Sequence, residues 1–273
     1  MTNKTLLMVL LCSALAVCGK ITNDDISAAN LLDSLSEGKE MTAQPKLRKV
    51  GNVRSRAPKP TKPPEGAEEI TWPNNKGGLF AKGWVKDDKK VGYWYLYHTN
   101  AVLMAEGEMK DDKRVGFWVY YHSNGRRSSE GDFNEKGQAV GEWIRYHQDG
   151  SVSGTGSYEN GLEEGEWTRY DTNGFLSAVT NYKKGRQEGD CLVYAPDGKV
   201  ISRSHFEKGV SSGFWEMKDP ETGSEVKGFM KNGVRAGSWI MLDKKNNRKI
   251  TFEYDDKGQR TSSTTNKWVE EGE

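Results

Sequence analysis

Aromatic and glycine residues recur along this chain with a fixed spacing. From Gly92 to Trp239 the pattern Gly-x-Trp returns every 24 residues, except that one copy has 25 residues and the fifth copy carries Cys191 in place of Trp. The seven copies start at Gly92, Gly116, Gly141, Gly165, Gly189, Gly213 and Gly237. A constant period of this length is the sequence signature of stacked structural repeats. The pattern therefore predicts a repeat architecture for most of the chain.

Each copy has the features of a β-hairpin. The Trp position and the second aromatic or large apolar anchor of the copy, which ends its second stretch, are 15 residues apart in all seven copies, as in Trp143 and Tyr158. Midway between them stand dipeptides that tolerate positive φ and predict two-residue hairpin turns, namely Asn124-Gly125, Asp149-Gly150, Asn173-Gly174 and Asp197-Gly198. A second set of turns joins consecutive copies, at Asn160-Gly161, Lys184-Gly185, Lys208-Gly209 and Asn232-Gly233. No crossover helix fits in such short connections, so the strands must be antiparallel.

These features predict an all-β fold, an elongated single-layer antiparallel meander of tandem 24-residue hairpins with about fourteen strands. The repeat domain is expected to span residues 70–259, because Ile70–Val91 resembles a degraded first hairpin, and residues 260–273 are expected to form a C-terminal tail or cap. A closed propeller is excluded because its blades need two hairpins each, and seven hairpins are too few to close a ring.

Two aromatic rows follow from the repeat. The first contains the structural anchors Trp94, Trp118, Trp143, Trp167, Trp215 and Trp239, and the second contains Tyr97, Tyr121, Tyr146, Tyr170 and Tyr194. Each Tyr follows the Trp position of its copy by three residues, so the two rows point to opposite faces of the sheet. One row is sufficient for a core. The Trp row is expected to pack, and the Tyr row is the candidate binding surface for a partner's apolar face or for sugar rings.

The N-terminus has the composition of an export signal over residues 1–18. Lys4 precedes an apolar run from Leu6 to Val17, and this run is too short to span a membrane. Two processing routes remain open, cleavage after Ala16 or lipid attachment at Cys18. We therefore expect an exported protein in the periplasm or at the cell surface, with membrane anchoring if Cys18 is lipidated.

Residues 19–69 are predicted to form a disordered linker rich in Pro, Lys and Arg. Between Gln44 and Pro64 the linker carries seven basic residues, no acidic residue and five of the eight prolines of the chain. Such a composition buries too little apolar surface to fold. The linker is either a tether whose basic charge touches an anionic surface, such as lipid headgroups or envelope polymers, or a solvated spacer.

Composition and motifs argue against catalysis and nucleic-acid binding. The net charge is only +1, and 34% hydrophobic residues suit a thin sheet. His98, His122 and His147 align in three copies, but equivalent positions lie about 9.6 Å apart, two strands away, and zinc needs nitrogens at about 2.0–2.1 Å. The sequence contains no nucleophile elbow, phosphate loop or paired-cysteine motif. We therefore predict no enzyme activity, no metal site, no cofactor and no nucleic-acid partner.

Two consecutive copies carry a family resemblance. Tyr158-Glu-Asn-Gly161-Leu-Glu-Glu-Gly165-Glu-Trp167 and Tyr182-Lys-Lys-Gly185-Arg-Gln-Glu-Gly189 resemble the MORN-repeat variant proteins of bacteria, in particular those described as YwqK-type antitoxins. The resemblance extends over about Ile70–Tyr254. It implies toxin neutralisation by protein contact, or the scaffolding, membrane and phosphoinositide associations of MORN proteins elsewhere. An export signal fits poorly with a cytoplasmic antitoxin.

The resulting hypothesis is an exported, non-enzymatic repeat scaffold of the cell envelope that binds an unknown protein or envelope polymer. Membrane contact would come through an N-terminal lipid or the basic linker. The first alternative is an antitoxin-like protein that neutralises a toxin. The second is glycan binding by an exposed Tyr row.

Overall fold

The computed structural model describes residues 56–73 and 78–268. The predicted signal peptide, the lipidation candidate Cys18 and the linker up to residue 55 lie outside the described residues. Within the described ranges the chain forms 18 β-strands and one short 3-10 helix. None of the helical structure found there is long and apolar enough to cross a membrane.

The strands fall into two compact units, an N-terminal unit that ends at Phe175 and a C-terminal unit that begins at Leu176. Each of the first eight strands of the N-terminal unit pairs antiparallel with the strand that follows it. Its strands are β1 (Glu68–Pro73), β2 (Leu79–Lys86), β3 (Lys89–Tyr97), β4 (Leu103–Lys110), β5 (Lys113–Tyr121), β6 (Arg127–Phe133), β7 (Ala139–Tyr146), β8 (Val152–Glu159) and β9 (Leu162–Tyr170).

The C-terminal unit follows the same antiparallel order. Its strands are β10 (Leu176–Lys183), β11 (Arg186–Tyr194), β12 (Val200–Glu207), β13 (Val210–Ser211), β14 (Gly213–Lys218), β15 (Glu225–Lys231), β16 (Val234–Asp243), β17 (Arg248–Tyr254) and β18 (Arg260–Lys267). The strand β13 has only two residues, and β12 pairs with both β13 and β14. A 3-10 helix, Lys244–Asn246, separates β16 from β17.

The predicted all-β antiparallel meander of tandem hairpins is confirmed. The seven copies supply β3 to β12 and β14 to β17, in sequence order. The additional strands are the short β13, β1 and β2 before the first copy, and β18, which lies within the predicted tail or cap. Since β1 begins at Glu68, the sheet starts two residues before the predicted domain boundary at residue 70.

The prediction of two-residue turns at the Asn-Gly and Asp-Gly dipeptides within the copies is wrong. Five residues, 122–126, join β5 to β6, and the amide of His122 donates to the carbonyl of Arg126 at 2.7 Å. Gly125 has a φ of 82° whereas Asn124 is absent from the positive-φ region. The Asn124 side chain accepts the Arg126 amide at 3.0 Å, so it stabilises a wider turn with a single left-handed glycine. The same backbone hydrogen bond, from the amide of the first turn residue to the carbonyl of the fifth, recurs in the turns 147–151, 171–175 and 195–199.

Two-residue turns do occur in the connections between consecutive copies. Asn160 and Gly161 have φ values of 52° and 82°, which is the primed turn that matches the twist of antiparallel strands. Asp111 and Asp112 adopt φ values of 48° and 65° in the equivalent connection. The 25-residue copy differs here, because residues 134–138 replace the tight turn with a five-residue loop.

The Trp row is buried although the sheet is a single layer within each unit. The relative exposure of Trp94, Trp118, Trp143, Trp167, Trp215 and Trp239 ranges from 0% to 8%. We call the side of each sheet that carries these rings the tryptophan face. In the N-terminal unit, Trp118, Phe133, Trp143, Tyr158 and Trp167 form a continuous series with ring centroids 5.2–6.4 Å apart. Cationic side chains cover parts of it, as Arg145 does 4.2 Å from the Trp167 centroid.

The fifth copy shows how the row tolerates Cys191. Glycine occupies the position eleven residues before most of the tryptophans, as in Gly107 before Trp118, whereas Thr180 stands there before Cys191. Thr180 and Cys191 are both buried, and the Thr180 hydroxyl lies 3.3 Å from the Cys191 sulfur. The threonine side chain therefore occupies space that an indole ring covers in the other copies.

Candidate functional site on the tyrosine face

The predicted Tyr row lies at strand ends, opposite the tryptophan face. Its members are half-buried and close the strands β3, β5, β7, β9 and β11, as Tyr97, Tyr121, Tyr146, Tyr170 and Tyr194. The first four belong to the N-terminal unit and Tyr194 to the C-terminal unit. We call this side of each sheet the tyrosine face. The row alone is not an open stacking platform, since each ring is partly covered.

In the N-terminal unit a buried carboxyl group connects two tyrosines of this face. Glu106, in the middle of β4, is only 8% exposed. Its carboxyl oxygens accept hydrogen bonds from the hydroxyls of Tyr93, at 3.1 Å, and of Tyr121. Burial and the neighbouring Glu106 raise the pKa of both phenols. Both therefore remain neutral donors, and both oxygens of Glu106 are engaged within the sheet.

The next repeat places a second carboxyl group at the equivalent position. Glu130 in β6 is 2% exposed, and one of its oxygens forms an ion pair with the guanidinium of Arg127. A buried carboxylate requires such a partner, because removal from water is costly for an unpaired charge. The other oxygen of Glu130 accepts the backbone amide of Arg56 at 3.3 Å.

Arg56 belongs to a segment that lies against this face. Residues 56–67, which we call the strap, have no regular secondary structure. The guanidinium of Arg56 lies 3.8 Å from the centroid of the Phe117 ring and pairs with the carboxylate of Asp132. Arg127 donates to the backbone carbonyl of Arg56 at 2.8 Å. Both the side chain and the backbone of Arg56 are thus bound.

The other end of the strap is held near the start of the sheet. Lys86 donates to the carbonyl of Glu65 at 2.8 Å, and the Ala67 amide donates to the Pro64 carbonyl at 3.1 Å. Residues 56–67, the C-terminal part of the predicted linker, thus contact the sheet near Arg56 and near Glu65. Among the basic residues of the strap, Arg56 pairs with a carboxyl group of the chain's own sheet.

The aligned histidines form a ladder between neighbouring turns. The Nε2 atoms of His98, His122 and His147 lie 2.9, 3.0 and 2.9 Å from backbone carbonyls one copy ahead, those of Tyr121, Tyr146 and Tyr170. The rings therefore connect successive hairpins rather than converge. In the part of the chain that is described, no group of three or more His, Cys, Asp or Glu side chains could hold a metal ion.

Sequence reasoning missed the charged residues of this face, Glu106, Glu130, Arg127 and Arg56, and the Phe117 ring that lies against Arg56. The sequence does contain a pattern that could have identified Glu106 and Glu130. The equivalent position in the later copies is occupied by Thr155, Val179, Arg203, Lys227 and Thr251. Two consecutive acidic residues in an otherwise variable position mark a local specialisation. The contact with Arg56 gives no such signal, since 74 residues separate it from Glu130.

Comparison with known protein families gives a match to the MORN repeat variant, at residues 139–160 and 163–184. The first match covers β7 and β8, and the second begins in β9 and ends just after β10. A comparison with curated proteins gave no match. In these two segments the chain is similar to MORN-variant repeats, and the same 24-residue pattern continues on both sides of them.

Proposed function

We propose that this chain is a non-enzymatic repeat scaffold that binds a protein partner through the tyrosine face of its N-terminal unit. One observation carries the proposal, namely that this face already binds an extended polypeptide segment, the strap. The strap is held at Arg56 by contacts to backbone and side chain together. MORN repeats are generally associated with protein or membrane interaction, which supports a binding role.

The two faces of the N-terminal unit differ in what they can offer a partner. On the tryptophan face the indole rings pack against glycines and against one another, and basic side chains such as Arg145 lie over them. The tyrosine face combines half-buried aromatic rings with carboxyl groups and a basic segment. Aromatic residues and arginine are enriched in protein interfaces, and complementary charges across an interface add specificity.

Photo-crosslinking in the native host tests the surface. A photoreactive amino acid would replace Tyr97 or Tyr170 on the tyrosine face, and Lys136 or Asn173, both exposed in turns, would serve as control positions. We expect discrete protein adducts from the two tyrosine positions and none from the controls. Equal adducts at all four positions, or none at either tyrosine, would contradict the proposed binding face.

Export is part of the proposal, with the scaffold in the periplasm or at the cell surface. Its basis is the composition of residues 1–18, with cleavage after Ala16 or lipid attachment at Cys18 as the two routes. The antitoxin-like alternative requires a cytosolic protein with an intact N-terminus. Cell fractionation with mass spectrometry of the N-terminal peptide separates the two, because an intact cytosolic chain would rule out export.

A further inference from the structure

Arg56 is bound by groups that form a defined recess on the tyrosine face. The recess consists of the Phe117 ring, the carboxyl groups of Glu130 and Asp132, and the guanidinium of Arg127. Arginine suits it better than lysine, because a planar guanidinium can stack on a ring and pair with a carboxylate at the same time. The contacts to the backbone of Arg56 also fix the direction of the bound segment.

The acidic part of this recess is not needed to build a repeat. At the position of Glu130 other copies carry threonine, valine, arginine or lysine, and their hairpins form with the same pairing. A buried carboxyl group is costlier than any of the neutral residues among these. Glu130 pairs with Arg127 of its own strand through one oxygen and gives the other to the strap, so it serves a contact that the repeat itself does not require.

The preceding repeat has similar residues but cannot bind an incoming segment in the same way. Tyr93, Glu106 and Glu108 occupy the positions of Phe117, Glu130 and Asp132. Both oxygens of Glu106 are already engaged by tyrosine hydroxyls of the sheet. Glu130 instead gives one oxygen to a backbone amide of the strap. Only the second of these two repeats can thus receive an incoming segment in this way.

The contacts that hold Arg56 in the recess allow another segment to displace it. The Arg56 side chain is 54% exposed, and the strap has no regular hydrogen-bonded structure of its own. Exposed ion pairs are weak, and a segment tethered this close competes at an effective concentration on the order of millimolar. A ligand that offers an arginine and additional contacts can therefore replace it.

We propose that the recess of Phe117, Glu130 and Asp132 is an arginine-recognition site for an extended basic segment of another protein, and that Arg56 occupies it in cis. The proposal rests on the proposed function and specifies the chemistry of the partner. The partner segment carries an arginine in an extended, proline-containing stretch, as the strap itself does with Arg56, Pro58 and Pro60. Binding of the partner releases the strap from the sheet.

Fluorescence anisotropy with a labelled peptide of residues 55–66 tests the site on the full-length chain. Arg56→Ala in the protein vacates the recess, so we expect the peptide to bind this variant about tenfold or more tighter than the wild type, which has a competing tethered segment. Arg56→Lys within the peptide is expected to weaken binding about tenfold, because stacking and paired hydrogen bonds are lost.

The matched controls are carboxyl substitutions in the Arg56→Ala protein. Asp132→Asn should weaken peptide binding, whereas Glu108→Gln, at the equivalent position one repeat earlier, should leave it unchanged. Equal affinity for the wild type and the Arg56→Ala protein, or equal effects of Asp132→Asn and Glu108→Gln, would overturn the proposal. Circular dichroism of each variant confirms that the sheet is intact.

The two proposals fail in different ways. If the peptide does not bind the vacated recess but photo-crosslinks still form at Tyr97 and Tyr170, the arginine site is wrong and the binding face stands. If the peptide binds but no protein crosslinks form in the native host, the recess serves only the chain's own strap. That outcome would contradict the statement, common to both proposals, that this face binds another protein.

Discussion

The indole ring of Trp118 lies directly on the backbone of Gly107 in the neighbouring strand. A Cβ atom added to Gly107 would stand 2.4 Å from Cδ2 of this ring, much closer than any real contact. Gly107 has no positive φ, so glycine is required here for space and not for conformation. The same contact recurs between Gly83 and Trp94, Gly131 and Trp143, Gly156 and Trp167, and Gly228 and Trp239. This pairing is how a single-layer sheet buries its tryptophans.

Gly107→Ala is therefore expected to destabilise the protein by overpacking. The methyl group would force the Trp118 ring or the β4 backbone to move, at a cost of about 1–3 kcal/mol. The measurement is the free energy of unfolding from urea titration, followed by tryptophan fluorescence.

A paired substitution provides the control for Gly107→Ala. Gly107→Thr combined with Trp118→Cys places threonine and cysteine at the positions that Thr180 and Cys191 occupy in the fifth copy. We expect the double variant to be more stable than the sum of the two single effects implies, by more than about 0.5 kcal/mol. Additive losses would mean that the two positions do not share one packing contact.

The histidine ladder predicts a structural effect for His122→Ala. The substitution removes the hydrogen bond to the Tyr146 carbonyl, at 3.0 Å, and should lower the free energy of unfolding by about 1 kcal/mol. Alanine is tolerated at the equivalent position in the fifth copy, Ala195, so the fold should persist. Thermal unfolding with and without added zinc provides the check. A zinc-dependent rise in Tm that disappears with His122→Ala would show that the ladder binds metal.

Tyr121→Phe tests the hydrogen bonds around Glu106. The substitution leaves Glu106 buried with only the Tyr93 hydroxyl as a donor, and should cost about 1–3 kcal/mol of unfolding free energy. Tyr170→Phe is the matched control, since no hydroxyl bond of Tyr170 occurs in the described structure, and its effect should be within about 0.5 kcal/mol. Similar losses for both variants would indicate that ring packing, rather than the bond to Glu106, stabilises this face.

The repeat made the order of the strands predictable. The types of the turns between them were predictable only in part. A strict 24-residue spacing places Trp143 and Tyr158 on paired strands whatever the turn between them. Asn-Gly is compatible with both a two-residue turn and a wider turn with one left-handed glycine, so the dipeptide at Asn124 could not distinguish them. Two-residue turns formed between the copies, at the predicted Asn160-Gly161 and also at Asp111-Asp112, where both residues accept positive φ without any glycine.

The candidate site was less predictable than the fold because its residues break the repeat. The Tyr row was visible from its spacing, but Glu106 and Glu130 are buried at a position where other copies carry neutral or basic side chains. Arg56 lies in a segment whose composition predicts disorder. The hydrogen bonds of Arg56 are to residues 71 to 76 positions further along the chain, and local sequence carries no information on such distant contacts.

In the C-terminal unit, Glu225 links stability to pH. Its carboxylate lies 2.7 Å from the ammonium of Lys227 and 3.6 Å from that of Lys218, and its side chain is 12% exposed. Burial alone would raise the pKa of Glu225, but the hydrogen bond and the charges of the two lysines outweigh it, so the pKa lies below its ordinary value of 4.5. The unfolded chain therefore takes up a proton at Glu225 before the folded chain does as the pH falls.

Glu225→Gln should consequently make the loss of stability in acid less steep. Because the folded pKa is lowered, the ion pairs contribute fully above pH 4.5 and lose their contribution as the pH falls below that value. The measurement is the free energy of unfolding from urea titrations between about pH 3 and about pH 7. Glu221→Gln, an exposed carboxyl in the turn before β15, is the control and should leave the slope unchanged. If the free energy of unfolding falls equally steeply with decreasing pH in the wild type and in Glu225→Gln, these lysines do not stabilise the folded carboxylate.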